Sequence, residues 1–355
     1  MKVLWIYGKR IAMRKSVKKN FRVLSVAIVM LSMACGLSGC KKTEVPQPVV
    51  TNAEEAIVTP EQYERIAQAT IAGIRAADES LDTSRLSQRL MDPILTQRTA
   101  QYKLKGLKDD TQIPPITIDL KATPLSTGTG FPRGLLSYSP PVEGQNQRTL
   151  TAWQQDSARS NYKLWGQVSL FPSADLPELT SAISTAQGYS KKDSGLYLAD
   201  PTGVTAAYAQ YLQTQELGGV KFKEGDELFR GLKSQMDSLK ETIGDFGEVS
   251  LSVADSGAAP IVVSTSDAGV VVFGEIKYHI TYKTKNADRP IVLKGTAEAL
   301  IYSGDKEKPN IEIGENSPFT ASYSVVVAFY VPPTTGKNVQ LIGASSNVLY
   351  SAAVE

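Results

Sequence analysis

The stretch GVVVFGEIKYHITYK, residues 269–283, decides how this chain is read. Val270, Val272, Ile276, Tyr278, Ile280 and Tyr282 fall on one side, and Glu275, Lys277, His279 and Thr281 on the other. Successive side chains of a strand point to opposite faces, so this period of two marks a long strand with one buried face. A slip of one residue would turn the whole apolar set outward, which makes the register sharp. Val272, Ile276, Tyr278 and Ile280 are therefore expected in the core, with Glu275, Lys277 and His279 pointing away.

Further strands are expected around it, at 248–254, 290–302, 319–331 and 338–350. Two helices precede them. Asp200-Pro201-Thr202 opens the first, through Tyr208, Tyr211 and Leu212, with Gly218-Gly219 ending it; the second, 226–243, uses Leu228, Leu232, Met236, Leu239 and Ile243. The first half of the chain has the same element order. Thr59-Pro60-Glu61-Gln62 is a helix start, with Thr as cap and Pro at the first position. A second helical stretch, 83–105, is divided by Pro93. Ile116, Ile118 and Leu120 then alternate with Thr117, Asp119 and Lys121, which reads as a half-buried strand, and further strands are expected at 134–139, 148–154 and 162–171. Clustered strands without strict alternation favour α+β with antiparallel sheets. The expected division is a signal (1–39), a tether (40–59), an N-terminal α+β domain (60–181), a connector (182–199) and a C-terminal α+β domain (200–355), each domain a helix pair followed by a curved sheet.

Long helices before long, curling antiparallel strands resemble the cone-shaped nuclear-transport-factor-2-like fold, the second half more closely. The layout is also similar to an uncharacterised family of actinobacterial lipoproteins, through Thr59-Pro60-Glu61-Gln62-Tyr63, Arg98-Thr99-Ala100-Gln101-Tyr102 and Tyr162-Lys163-Leu164-Trp165. That resemblance implies an address and a fold but no activity. Enzymes of the cone fold place an acid and a tyrosine inside the cone. Asp119 lies on the face opposite Ile118 and Leu120 and is not placed there by its spacing.

The N-terminus carries the most specific signal. Lys2, Lys9, Arg10, Arg14, Lys15, Lys18, Lys19 and Arg22 precede an uncharged stretch of 15 residues, 23–37. This is the pattern of an export signal, and its apolar run is short of the roughly 20 residues that a membrane-crossing helix needs. Leu37-Ser38-Gly39-Cys40 resembles the bacterial lipobox, which implies cleavage before Cys40 and diacylglyceryl on its thiol. Two acyl chains give durable anchoring where one would not. Met13 is an alternative start to Met1. The only other cysteine, Cys35, would leave with the signal, so no disulfide is expected in the mature chain. Removing the eight basic residues of the signal leaves 30 basic against 36 acidic residues, a formal charge of −6. That balance argues against nucleic acid as a partner.

Catalytic and metal motifs are weak. His279 is the single histidine and, on the polar side of its strand, reads as a solvent-facing residue; with no thiol beside it, no metal site is expected. Ser160-Asn161-Tyr162-Lys163 matches S-x-x-K, and Ser345-Ser346-Asn347 resembles its S-x-N companion. That chemistry needs a serine opening a helix, and here a strand follows; Lys294-Gly295-Thr296 has the K-T-G order scrambled. Thr334-Thr335-Gly336-Lys337-Asn338 lacks the first glycine and the hydroxyl residue after lysine of a phosphate loop, and reads as a turn. Asp305-Lys306-Glu307-Lys308, Glu312 and Glu315 interleave lysine with acid, unlike a calcium loop, and read as a solvated hairpin loop. Phe131, Tyr138, Trp153, Tyr162 and Trp165 read as core, with a ligand mouth as the alternative.

The expectation is a membrane-anchored lipoprotein on the extracytoplasmic face, without cofactor or catalytic set, binding an envelope protein or polymer. The alternatives are a solute-binding lipoprotein of a transport system and a cone-fold enzyme using carboxylate and tyrosine.

Overall fold

The computed structural model describes residues 58–126, 130–141, 148–179, 193–285 and 288–355. The signal, Leu37, Ser38, Gly39, Cys40, nearly all of the tether and much of the connector lie outside them. Among the described residues no helix is long and apolar enough to cross a membrane.

Helix α1 (Pro60–Ser80) starts as expected. Thr59 Oγ1 accepts the Gln62 N–H at 3.3 Å, and Gln62 Oε1 accepts the Thr59 N–H at 2.9 Å. This reciprocal cap satisfies two backbone donors the helix cannot, and is worth about 1 kcal/mol. Tyr63, Ala67, Thr70, Ile74 and Ala77 form its buried stripe. A 3-10 turn at Thr83–Gln88 and helix α2 (Ile94–Leu107) follow, on either side of Pro93 as read.

Strands β1 (Pro124–Ser126), β2 (Arg133–Ser139), β3 (Thr149–Gln155) and β4 (Lys163–Leu170) complete the first half. The second half holds α3 (Val204–Thr214), α4 (Glu227–Ile243), β5 (Gly247–Asp255), β6 (Ile261–Ser264), β7 (Val270–Thr284), β8 (Ile291–Lys294), α5 (Ala297–Ser303), β9 (Asn310–Ile313), β10 (Phe319–Val331), β11 (Gln340–Ala344) and β12 (Val348–Val354). The fold is α+β, and the named strands of the described residues pair antiparallel; single parallel bridges join Leu90 to Leu164 and Phe222 to Val339.

The expected domains 60–181 and 200–355 turn out to share one sheet. Its order is β1-β2-β3-β4-β11-β10-β7-β5, with β12 also on β10 and β6 also on β7. The halves are stitched by Ser169 opposite Ala344 and Leu170 opposite Gly343. Residues Ala53–Glu355 accordingly form one compact unit. Alternation along the strands explains why. In β2–β4, Leu135, Trp153 and Leu164 pack under α1 and α2, while Leu136, Leu150, Trp165 and Val168 enter a second core on the other face. That second core also contains Val271 and Phe273 of β7, Val326 and Ala328 of β10, and Ile342 of β11. Each half thus completes the other's buried face. The remaining faces of β7 and β10, including Val272, Ile276, Tyr278, Ile280 and Phe329, pack with α3, α4 and α5.

β7 keeps the expected register with one correction. Val272, Ile276, Tyr278 and Ile280 are buried, and Lys277 and His279 are half-buried on the other face. Glu275, expected outside, is only 4% exposed. Ser324 Oγ donates to its Oε1 at 2.6 Å and accepts from Gln97 Nε2 at 3.0 Å, so α2 of the first half reaches over that part of the sheet.

Several elements differ from expectation. Residues 116–121 are not a strand; the segment is fastened by side chains, with Gln167 donating to Thr117 O at 2.6 Å and Tyr63 to Asp119 O at 2.8 Å. The stretch 290–302 divides into β8 and α5, whose cap is Thr296 Oγ1 accepting the Ala299 N–H at 3.2 Å. Residues 338–350 divide into β11 and β12 around Ser345-Ser346-Asn347. Asp200-Pro201-Thr202 forms a turn before α3 rather than its first residues, and the helix ends at Gln215. The short strands β6 and β9 carry too few residues to show a period.

Candidate functional site

A cavity of about 520 Å³ lies where the halves meet. One wall is α2, which presents Ile94, Gln97, Arg98 and Gln101 at a spacing of three, four and seven residues. Such residues share one helix face. The extended segment Pro114-Pro115-Ile116-Thr117 forms a second wall. Thr149 of β3, Gln167 and Ser169 of β4, Ser345 and Ser346 of the β11–β12 turn and Val348 of β12 complete the lining.

The wall is held by a network that consumes its only charge. Arg98 is 2% exposed. Its Nε and one terminal nitrogen donate to the two oxygens of Asp78 at 2.9 and 2.5 Å, and the other to Gln101 Oε1 and Pro114 O at 3.1 and 2.7 Å. Tyr102 donates to the same Asp78 at 2.5 Å; burial, then that bond, pushes its pKa up. This fork-on-carboxylate geometry ties α1, α2 and the 114–117 segment together. On the sheet side, Gln167 Nε2 donates to Thr117 O and to Thr151 Oγ1 at 2.8 Å, and Ser345 Oγ accepts the Val326 N–H at 2.9 Å. Below them, the Tyr63 hydroxyl, whose proton goes to Asp119 O, accepts from Ser137 Oγ at 3.0 Å, and burial pushes its pKa up to about 12.

What remains for a ligand is neutral and hydrogen-bonding. Three glutamines and five hydroxyl side chains line the cavity beside Ile94, Pro114, Pro115, Ile116 and Val348. The Thr149 hydroxyl oxygen is buried without a hydrogen-bond partner, a cost that a ligand hydroxyl or amide would remove. No carboxylate, histidine or cysteine lies among the lining residues. The arrangement can hold and orient a polar ligand, and it offers no general acid or base.

No family model, curated protein or solved structure matches the chain.

The residues singled out in the sequence are dispersed. His279 is half-buried, not fully solvent-facing, because Ser322 of β10 stands opposite and its Oγ lies 2.8 Å from Nδ1. Ser160 sits in the β3–β4 turn, 2.7 Å from Ser157 Oγ, while Ser345 lines the cavity, so the S-x-x-K and S-x-N segments belong to different places. Residues 334–338 form the β10–β11 connection. Asp305 to Lys308 form a turn between α5 and β9, and Glu312 lies on the exposed side of β9. Trp153 and Trp165 are buried in opposite cores, with Tyr63 packed edge-on against Trp153 at 5.7 Å, so these aromatics share no mouth. Tyr138 and Phe131 are half-buried. Asp119 is half-buried, with its backbone held by Tyr63 and Ser139.

A second constellation is Asp226 with Tyr208. Tyr208 donates to Asp226 Oδ1 at 2.7 Å, and burial holds the carboxyl above its ordinary range. The same oxygen accepts the Phe229 N–H at 2.9 Å, which makes Asp226 the cap of α4. A cap explains this aspartate without chemistry.

Sequence reasoning missed Gln97, Gln101, Gln167 and Thr149. A signal existed in Gln97-Arg98-Thr99-Ala100-Gln101, where Gln97, Arg98 and Gln101 form a polar stripe on a helix that should bury that face.

Proposed function

We propose that this protein is a cell-envelope lipoprotein, cut before Cys40 and anchored through diacylglyceryl on that cysteine, whose body is a non-catalytic binding module for a neutral, hydroxyl-rich envelope polymer such as a glycan strand. The second half follows the plan of the nuclear-transport-factor-2-like cone, with α3 and α4 packed against the long strands β7 and β10. The ligand lies in the cavity between α2 and the sheet. The observation that carries this reading is the lining: amides and hydroxyls supply donors and acceptors, and the one cation, Arg98, is matched by Asp78. A charged ligand would find no counter-charge there, and burying it unpaired would be costly. Amide and hydroxyl groups suit a saccharide, whose hydroxyls both donate and accept. The apolar side chains along one wall suit the C–H faces of a sugar ring.

The test is calorimetric titration of the full chain with soluble envelope glycan fragments. Ser346 is exposed at the rim, so Ser346→Trp narrows the entrance without disturbing the core. Binding should fall at least tenfold in this variant, with an unchanged melting temperature. Equal affinity of variant and wild type, or no binding by any neutral glycan, would sink the reading.

A further inference from the structure

The cavity beside α2 presents its donors and acceptors in a fixed order. An amide side chain can be turned either way, and its partners settle which atom points where. Here they settle all three glutamines of the lining. Gln101 Oε1 accepts from Arg98 Nη1 at 3.1 Å, and a guanidinium only donates, so Gln101 is left with its amide nitrogen. Gln167 Nε2 donates to the Thr117 carbonyl at 2.6 Å and to Thr151 Oγ1 at 2.8 Å, which leaves its oxygen. Gln97 Nε2 donates at 3.0 Å to Ser324 Oγ, whose own proton goes to Glu275, so its oxygen is left as well. Among the described residues, these three remaining atoms have no hydrogen-bond partner. The cavity therefore offers one fixed donor and two fixed acceptors.

The donor also has an apolar neighbour. Arg98 Nη1 donates to Pro114 O at 2.7 Å as well as to Gln101, so the Gln101 amide stands beside Pro114-Pro115. Ile94, two turns earlier on α2, lies on the same helix face. A matching ligand needs an acceptor with a small apolar group next to it, and a donor on its other side. A ring hydroxyl supplies no apolar group there and loses a rotor on binding. A secondary amide is planar and carries acceptor and donor in fixed, opposite directions, so less freedom is lost. An acetamido group adds a methyl on the carbonyl carbon.

We propose, on the reading of this cavity as a neutral-glycan site, that its ligand is an N-acetylated amino sugar. The acetamido carbonyl accepts from Gln101 Nε2, and its methyl rests against Pro114-Pro115 and Ile94. The amide N–H and a neighbouring ring hydroxyl donate to the oxygens of Gln97 and Gln167. The buried Thr149 hydroxyl, which has no hydrogen-bond partner, takes another ring hydroxyl and does not sense the acetyl group.

The experiment is calorimetric titration of the full chain with tri-N-acetylchitotriose and with cellotriose, two neutral trisaccharides that differ only in an acetamido or a hydroxyl group on the second ring carbon. The wild type should bind the acetylated sugar at least tenfold more tightly. Gln101→Glu keeps the oxygen that Arg98 needs and removes the donor. It should bring the acetylated sugar down to the affinity of cellotriose, leaving cellotriose binding and the melting temperature unchanged. Thr149→Val should weaken both sugars alike. Equal affinity of the wild type for the two sugars, or a preference that survives Gln101→Glu, overturns this proposal and leaves the glycan reading standing. Binding of neither sugar overturns both.

Discussion

Ile280 and His279 are neighbours on β7 with opposite fates, and they make the register testable one residue at a time. Ile280 is fully buried beneath the helices, so Ile280→Ala should cost about 2–5 kcal/mol in urea unfolding, the lost transfer energy plus a cavity. His279 makes one contact with Ser322, and His279→Ala should cost no more than about 1 kcal/mol, the net worth of a hydrogen bond. Reversed magnitudes would mean the strand is misregistered. Asp226 allows a pH test. Its pKa is raised by burial, so between the ordinary carboxyl value and the raised one the folded state keeps a proton that the unfolded chain has released. Stability therefore falls as pH rises through that window, and the penalty persists above it. Asn caps a helix as well as Asp. Asp226→Asn should thus match the wild type below the window and gain on it through the window, levelling off beyond; parallel stability–pH curves would contradict the assignment. At this scale the alternation of β7 was legible from the sequence because it is local. The burial of Glu275 was not, because its cover comes from Gln97 and Ser324, far along the chain.

Among elements, the approach of α3 to β7 is the tightest feature of the second half. Gly274 sits at the centre of β7, and a Cβ there would overlap Thr205 Oγ1 and Cγ2 on α3. Gly274→Ala should therefore destabilise by about 1–3 kcal/mol, as overpacking does. Thr205→Ala removes the obstructing atoms, so the double variant should recover most of the loss; additive losses would show that the helix does not bear on the strand. Helix starts were legible where a side-chain cap stands in the sequence, as at Thr59 and Asp226. The start of α5 at Thr296 carries the same kind of cap, but the apolar residues on either side, Ile291 to Leu293 and Ala299 to Ile301, hid it within an expected strand. The segment 116–121 has strand alternation yet no strand partner. Its Thr117 and Asp119 carbonyls are taken by Gln167 and Tyr63, and period alone cannot show that.

At the scale of the molecule, two similar runs of helices and strands suggested two domains, and a single sheet joins them. What decides this is the second apolar face of the first-half strands. Leu136, Leu150, Trp165 and Val168 need cover that α1 and α2 cannot give, and β7, β10 and β11 provide it. The sequence shows that those residues are apolar but not what they meet. The same joining creates the cavity beside α2, since Gln97 and Gln167 come from one half and Ser345, Ser346 and Val348 from the other. A site assembled across such a seam has no contiguous motif. The proposed address, in contrast, rests on four consecutive residues, Leu37 to Cys40, and would determine which polymers and lipids the body can meet. Labelling living cells with an alkynyl fatty acid and comparing wild type with Cys40→Ala tests that claim most directly. The wild-type protein should carry the label and Cys40→Ala none; equal label on both, or none on the wild type, would contradict an envelope lipoprotein anchored at Cys40.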